Sequence, residues 1–293
     1  MSHKAGFVNI IGNPNVGKST LMNALVGERL SIITSKAQTT RHRILGIVNG
    51  EGYQVLFNDT PGIIEPAYEL QESMMDFVDT AFEDADILVY MIEIGEKSVK
   101  NEKFFTKLST ADIPVLLLIN KIDSGNQNQL YEQIDLWQKQ LPKAEIFPIS
   151  ALQKFGVQSV FDRILELLPE SPPYYPKDAL TDKSERFFVN ETIREKILLH
   201  YKKEVPYSVE VETESFKEEE DIIRIDSVIM VERDSQKGII IGHQGKGLKR
   251  IGTEARKDLE VFFDKKVFLK LFVKVNKDWR KNPQQLKRFG YKQ

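Results

Sequence analysis

The chain has 293 residues, 41% apolar and 29% charged, enough for two domains of ordinary size. It has no cysteine, which excludes disulfides and thiolate metal sites; no apolar run approaches the ~20 residues that cross a bilayer, residues 1–6 lack the apolar core of a secretion signal, and a cytoplasmic protein is expected. The net charge of −2 hides an asymmetry: residues 1–179 carry 16 basic against 23 acidic side chains, 180–293 carry 25 against 20, and 236–293 alone 16 against 5, which points to a polyanionic partner for the C-terminal end.

Apolar runs at 7–11, 44–48, 53–57, 87–92, 115–119 and 146–149 read as strands. Helical spacing appears at 18–26, 72–82, 101–108, 130–140 and 157–168. This alternation predicts an α/β domain over 1–172 with a mostly parallel six-stranded sheet. Only Asn49, Gly50, Glu51 and Gly52 separate the second and third strands, so a hairpin should leave one edge strand antiparallel. Pro169, Pro172, Pro173 and Pro176 cannot continue a helix or join a central strand, and a proline-rich linker is expected at 173–182. An α+β domain over 183–293 follows, with a helix at 187–201, strands at 207–216 and 222–231, a glycine-containing segment at 238–245, a helix at 246–263, a strand at 267–275 and a basic tail. The acidic run 218–221 reads as an exposed hairpin tip, because adjacent carboxylates on a turn diverge too far to share a metal.

Gly12, Asn13, Pro14, Asn15, Val16, Gly17, Lys18 and Ser19 match G-x-x-x-x-G-K-[ST] directly after the first strand. Such a loop turns backbone N–H groups onto phosphate oxygens, sends Lys18 to the β- and γ-phosphates, and offers the Ser19 hydroxyl to Mg²⁺ where a helix begins; Thr20 follows on that helix. Asn120, Lys121 and Asp123 emerge from a strand apolar enough to be buried on both faces. The Asp123 carboxylate can accept from N1–H and the 2-amino group of guanine, whereas adenine would leave it unpaired, a mismatch that discriminates by ~10⁴. GTP and GDP are therefore the expected ligands. Asp59 can reach Mg²⁺ through its water shell, and the Gly62 N–H can bond the γ-phosphate. In the polar stretch 35–43 a threonine, Thr40 in preference to Thr39, could close over Mg²⁺ while the γ-phosphate is present. Ser150, Ala151 and Leu152 would bring backbone N–H groups to the guanine O6.

In this order the motifs resemble those of the translation-factor-related class of Ras-like GTPases. With Gln38-Thr-Thr-Arg-His-Arg43 in the switch and a G-x-x-G segment behind, the chain from Gly6 to Tyr291 is similar to the Era family of bacterial ribosome-assembly GTPases. That resemblance implies a type II K-homology domain over 183–293 that grips the 3′ end of small-subunit ribosomal RNA, and a role in maturing the small ribosomal subunit. It also implies peripheral association with the inner face of the plasma membrane; a monomer is expected. Gly242, His243, Gln244 and Gly245 supply the loop, which follows Ile241, joins two helices and clamps about four single-stranded nucleotides. Lys246, Lys249 and Arg250 would line the phosphate path, and His243 would either stack on a base or stay solvated.

Ras-like enzymes place a water-orienting glutamine after the D-x-x-G glycine, and here Ile63 stands there, which leaves slow hydrolysis, a group borrowed from elsewhere or an extra cation. Related GTPases with an apolar residue at this position and an asparagine in the P-loop use K⁺, which bridges the α- and γ-phosphates; Asn15 matches that asparagine. An Asn15 that only bonds its own loop is the alternative. Transition-state stabilisation is thus expected from Lys18, Thr40, Gly62 and Asn15. A constitutive RNA-binding module with a structural nucleotide site, or a membrane-associated signalling GTPase, is the competing class. Intact Lys18, Ser19, Asp59 and Asp123 argue against a dead site.

Overall fold

The computed structural model describes residues 3–98 and 101–292; the first two residues of the N-terminal stretch and Gln293 of the basic tail lie outside them. Two compact units result, one of Met1–Ala67 with Gln71–Asp182 and one of Lys183–Gln293 with Tyr68–Leu70.

The first unit runs β1 (Lys4–Gly12), α1 (Lys18–Val26), β2 (Ile44–Gly50), β3 (Tyr53–Asp59), α2 (Glu69–Glu83), β4 (Ile87–Glu93), α3 (Glu102–Ser109), β5 (Val115–Asn120), α4 (Gln127–Gln140), β6 (Glu145–Pro148) and α5 (Val157–Leu167). Its six-stranded sheet has the order β2-β3-β1-β4-β5-β6, parallel throughout except for the β2–β3 hairpin. Every residue of β5 is buried, as a strand covered on both faces requires. The register pairs Ile10 with Asp59, Gly12 with Met91, Glu93 with Asn120 and Ile119 with Pro148. The loops after β1, β3, β5 and β6 therefore leave from one sheet edge, the edge at which open α/β sheets bind ligands.

Several boundaries depart from the apolar pattern, among them the start of β7, which falls at Glu210 rather than 207, and two have identifiable reasons. β1 begins at Lys4 because Ala5 and Gly6, weak strand formers, are drawn into parallel pairing with Gln54 and Val55. α4 begins at Gln127 because Asn126 Oδ1 accepts from Gln129 N at 3.0 Å while Gln129 Oε1 accepts from Asn126 N at 3.2 Å, a closed capping box. The proline-rich stretch expected to act as a linker is instead tied along β2 and β3. Ile47 N donates to Leu180 O at 2.8 Å, Thr181 Oγ1 to Leu45 O at 2.6 Å, and Gln54 Nε2 to Tyr175 O at 2.8 Å, while Tyr175 and Ala179 pack on Leu45, Ile47 and Leu56.

In the second unit α6 (Glu185–His200), β7 (Glu210–Glu218), β8 (Ile222–Val231), α7 (Asp234–Ile241), α8 (Lys246–Phe263) and β9 (Lys266–Val275) follow in order. The sheet is β7-β8-β9, antiparallel then parallel. Its apolar core joins Val189, Ile193 and Ile197 of α6 to Ile225 and Ile229 of β8, Ile251 and Leu259 of α8, and Val267 of β9. β7 runs on through Glu218, with Lys217 opposite Arg224 and Glu218 opposite Ile223, so the exposed hairpin tip is residues 219–221 alone; no acidic cluster able to hold a metal occurs among the described residues.

The basic tail is not a free arm. It folds into α9 (Pro283–Arg288), preceded by one helical turn at Trp279–Lys281. Trp279 is wholly buried and its Nε1 donates to Ser208 O at 3.0 Å; Leu286 is also wholly buried, and Tyr291 Oη donates to Glu210 Oε2 at 2.7 Å. Trp279→Ala should therefore destabilise the second unit by roughly 3–5 kcal/mol. Hydrogen exchange should show protection lost in α9 and β7, with the β1–β6 sheet unchanged.

Candidate functional site

The loop after β1 encloses a cleft of about 450 Å³ lined by P-loop residues Pro14, Asn15 and Gly17 to Thr20, by the 32–40 segment, and by Gly62, Asn120, Lys121, Asp123, Ser150 and Leu152. The cradle depends on backbone that side chains cannot adopt. Gly17 has φ +104, and a Cβ there would collide with the Asn120 amide nitrogen. Gly62 admits no Cβ either, because one would lie 2.7 Å from Pro14 Cα.

Lys18, 6% exposed, donates to Gly12 O at 3.0 Å and Asn13 O at 2.9 Å. Burial lowers its pKa to about 8, against the pull of the Asp59 and Glu96 carboxylates. An ammonium held only by carbonyls inside a dry loop is primed to receive phosphate oxygens. Beside it, Ser19 Oγ donates to Asp59 Oδ2 at 2.6 Å and stands 2.9 Å from Thr40 Oγ1. It is Thr40 that reaches Ser19; Thr39 Oγ1 is turned to Lys36 O at 2.6 Å. Burial raises the Asp59 pKa, while the Ser19 hydroxyl and the Lys18 ammonium oppose that rise. Asp59 Oδ1 is buried without a hydrogen-bond donor. Two hydroxyls and a carboxylate with an unsatisfied oxygen form an all-oxygen donor set suited to a small hard cation such as Mg²⁺.

At the base end, Asp123 sits exposed on the single helical turn Ile122–Ser124 after β5. Lys121, at φ +63, pairs with Glu93 at 2.5 Å. Asn120 lines the cleft and clasps two loops: its Nδ2 donates to Val16 O at 2.7 Å and its Oδ1 accepts from Ala151 N at 2.8 Å. Ala151 N–H is thus already engaged, and Ser150 N donates to Phe155 O at 3.1 Å. Of the three amides expected at the guanine O6, the Leu152 N–H is the one without an acceptor among the described residues, Ser150 being held in a local bridge with Phe155 and Ala151 by Asn120. Asn15 reaches beyond its own loop, donating from Nδ2 to Ser35 O at 3.1 Å. Ile63 is buried, and its N–H donates to Gly12 O at 3.1 Å. Sequence reasoning missed Glu96, whose carboxylate accepts from Asn13 Nδ2 and whose backbone is held by Gln133 and Trp137. No local signal marks it, since it approaches the P-loop from 83 positions away.

In the second unit, the Gly242–Gly245 loop joins α7 to α8. Gly245 has φ +76, and a Cβ there would meet nothing. Its requirement for glycine is therefore conformational, and the space above it is open to a ligand backbone. Lys246 and Lys249 are exposed without an ion pair among the described residues, and His243 and Gln244 are exposed. Arg250, expected on the phosphate path, is held by Glu254 at 3.1 Å, and Glu254 also pairs with His200 at 2.5 Å. Ile241 turns inward against the core.

Comparison with known proteins gives two family models: 50S ribosome-binding GTPase over residues 7–121 and KH domain over 204–280. GTPase Era of Syntrophus aciditrophicus (strain SB) is 47% identical over 98% of this chain and 95% of the relative, and GTPase Era of Geotalea uraniireducens (strain Rf4) is 47% identical over 98% of each. The chain belongs to the Era family of GTPases. Among solved structures, Era in complex with MgGDPNP and nucleotides 1506–1542 of 16S ribosomal RNA is 39% identical, with a TM-score of 0.95 over 99% of this chain and 100% of that one. A point variant of Aquifex aeolicus Era bound to GDP·AlF₄⁻ is 39% identical, with a TM-score of 0.94 over the same shares. The two-unit architecture, a P-loop GTPase domain followed by a KH domain, is thus that of Era throughout.

Asn120→Ala tests the clasp. It strands the Val16 carbonyl and the Ala151 amide, at about 1–3 kcal/mol each. Affinity for GDP and GTP should fall together by ~10- to 100-fold in equilibrium titration, with their ratio preserved.

Proposed function

We propose that this chain hydrolyses GTP as a molecular switch and binds the 3′ end of small-subunit ribosomal RNA, assisting maturation of the small ribosomal subunit. The observation that carries the reading is the presence in one chain of a complete phosphate cradle with a base-reading carboxylate and, in the second unit, a glycine loop open to a nucleic-acid backbone. The related Era bound to a 16S fragment and a GTP analogue supports it. The 50S named in the GTPase-domain description is not carried over, because that match ends at residue 121, before the KH domain begins.

In this reading Lys18 stabilises charge on the β- and γ-phosphates, the Gly62 N–H bonds the γ-phosphate, and Asp123 selects guanine. Ser19, Thr40 and Asp59 would hold Mg²⁺, which would neutralise phosphate charge. Loss of the γ-phosphate frees Thr40 and with it the 32–40 segment, which makes nucleotide state legible at the surface. Lys246 and Lys249 take RNA phosphates. The protein acts in the cytoplasm as a monomer; peripheral membrane association rests on the family resemblance alone. No described helix is long and apolar enough to cross a membrane.

Gly245→Asp should cut affinity for a 3′-terminal small-subunit RNA fragment by at least ~10-fold at fixed salt and leave basal GTP turnover within about threefold, since a carboxylate in the open space repels the RNA backbone. Unchanged RNA affinity would remove the loop from the interface.

With Ile63 buried and its amide spent on Gly12, no side chain at that position orients water or meets developing charge. Asn15, turned toward Ser35 across the cleft mouth, suits a K⁺ site built from its own carbonyl oxygen and phosphate oxygens. Replacing Na⁺ with K⁺ at equal ionic strength should raise turnover by ~10-fold or more, and Asn15→Ala should erase the difference with little change in nucleotide affinity.

A further inference from the structure

β9 pairs with β8 along one side, and among the described residues no strand pairs with its other side. Its inward residues, from Val267 to Val275, join the core that includes α8. Its outward residues read Lys266, Phe268, Lys270, Phe272 and Lys274, a strict alternation of cation and ring. Phe268 is 50% exposed and Phe272 42% exposed. Water-facing strand positions have no packing reason to carry two large aromatics. Cations lie over both rings, Arg224 at 5.7 Å from the Phe268 centroid and the Lys270 ammonium at 5.1 Å from that of Phe272.

The charge on this strand has one sign. Residues 265–277 contain five lysines and no acidic side chain. Acidic groups on neighbouring strands are mostly engaged: Glu214 pairs with Lys274 at 2.9 Å, Glu212 with Arg288 at 2.6 Å, and Glu219, beyond β7, with Arg224 at 2.9 Å. Asp226 stands opposite Lys270 in the register. Lys266 and Lys270 have no ion-pair partner among the described residues.

The geometry points to the outward face of β9 as a second contact for single-stranded RNA, separate from the Gly242–Gly245 loop, with Phe268 and Phe272 each stacking one base and Lys266 and Lys270 taking phosphates. Stacking on a ring tolerates any base, and lysines interleaved with rings match the spacing of base and phosphate along a single strand. The two rings sit four residues apart, ~13 Å along the strand, so each takes its own base. Because α8 packs on the inward side of β9 and starts at the glycine loop, RNA leaving the loop reaches the outward face around the unpaired edge. A protein docked on the rings would bury the Lys270 ammonium between them, a cost that a phosphate removes. The inference rests on the RNA-binding reading above.

The test uses the full chain and two fluorescent single-stranded fragments of the small-subunit RNA 3′ end. One is about 6 nucleotides long, enough for the four-nucleotide clamp, and the other about 14. Anisotropy should give at least ~10-fold tighter binding of the longer fragment to the parent. Phe268→Thr with Phe272→Thr should leave the short fragment within twofold and abolish the length advantage. Lys266→Gln with Lys270→Gln keeps the rings and should lower the salt slope for the long fragment by ~0.7 per lysine, which preserves the test should the first variant fold poorly. A parent-like length advantage in the phenylalanine variant, or an unchanged salt slope in the lysine variant, overturns the inference while leaving the loop reading intact. A parent that binds neither fragment overturns both.

Discussion

One buried amide holds the nucleotide site together. Asn120, at the end of β5, spans from the P-loop carbonyl of Val16 to the backbone of Ala151 after β6, so the phosphate end and the base end are fixed to one side chain. This explains why Gly17 has no room for a Cβ, since the amide fills the space where one would stand. It also explains why an asparagine belongs here: one side chain must donate at one end and accept at the other, which an aspartate cannot do when ionised.

Around that clasp the loops store conformations that only a ligand can use. Lys18 is desolvated and coordinated by carbonyls alone, and Asp59 keeps one carboxylate oxygen without a donor. Both are unfavourable in isolation, and both improve when an anion and a cation arrive together. The glycine loop of the second unit follows the same logic with less strain, holding an open conformation that leaves space for a backbone. Preorganisation of this kind trades some stability for affinity.

The sheet was legible in the sequence because its central strands are continuous apolar runs, and Val115 to Ile119 could be little else. α1, β8 and α8 have the predicted bounds, since glycine or charged turns punctuate them. The missed features are those settled by pairing at a distance. The 174–181 stretch carries no strand pattern, yet it supplies the acceptor that Ile47 needs. α9 hides in a basic tail because its anchor, Trp279, is a single residue without periodicity. Within the site, residue identities follow from local motifs, whereas the allocation of hydrogen bonds does not. Nothing in Ser150-Ala151-Leu152 says that two of its three amides are taken, and nothing near Glu96 points to Asn13.

The strapped edge of β2 bears on a different problem, that of remaining dissolved. A sheet ends in rows of unpaired amides and carbonyls that invite another chain to add on. In the first unit the Leu180 carbonyl occupies one such row, and the opposite edge, β6, is only four residues long and closes with Pro148, which has no amide hydrogen to offer. In the second unit β9 is long, and lysines at every fourth position flank its rings. A second copy laid alongside would bring ammonium groups against ammonium groups. Resistance to strand-templated aggregation and attraction for a polyanion thus draw on the same side chains.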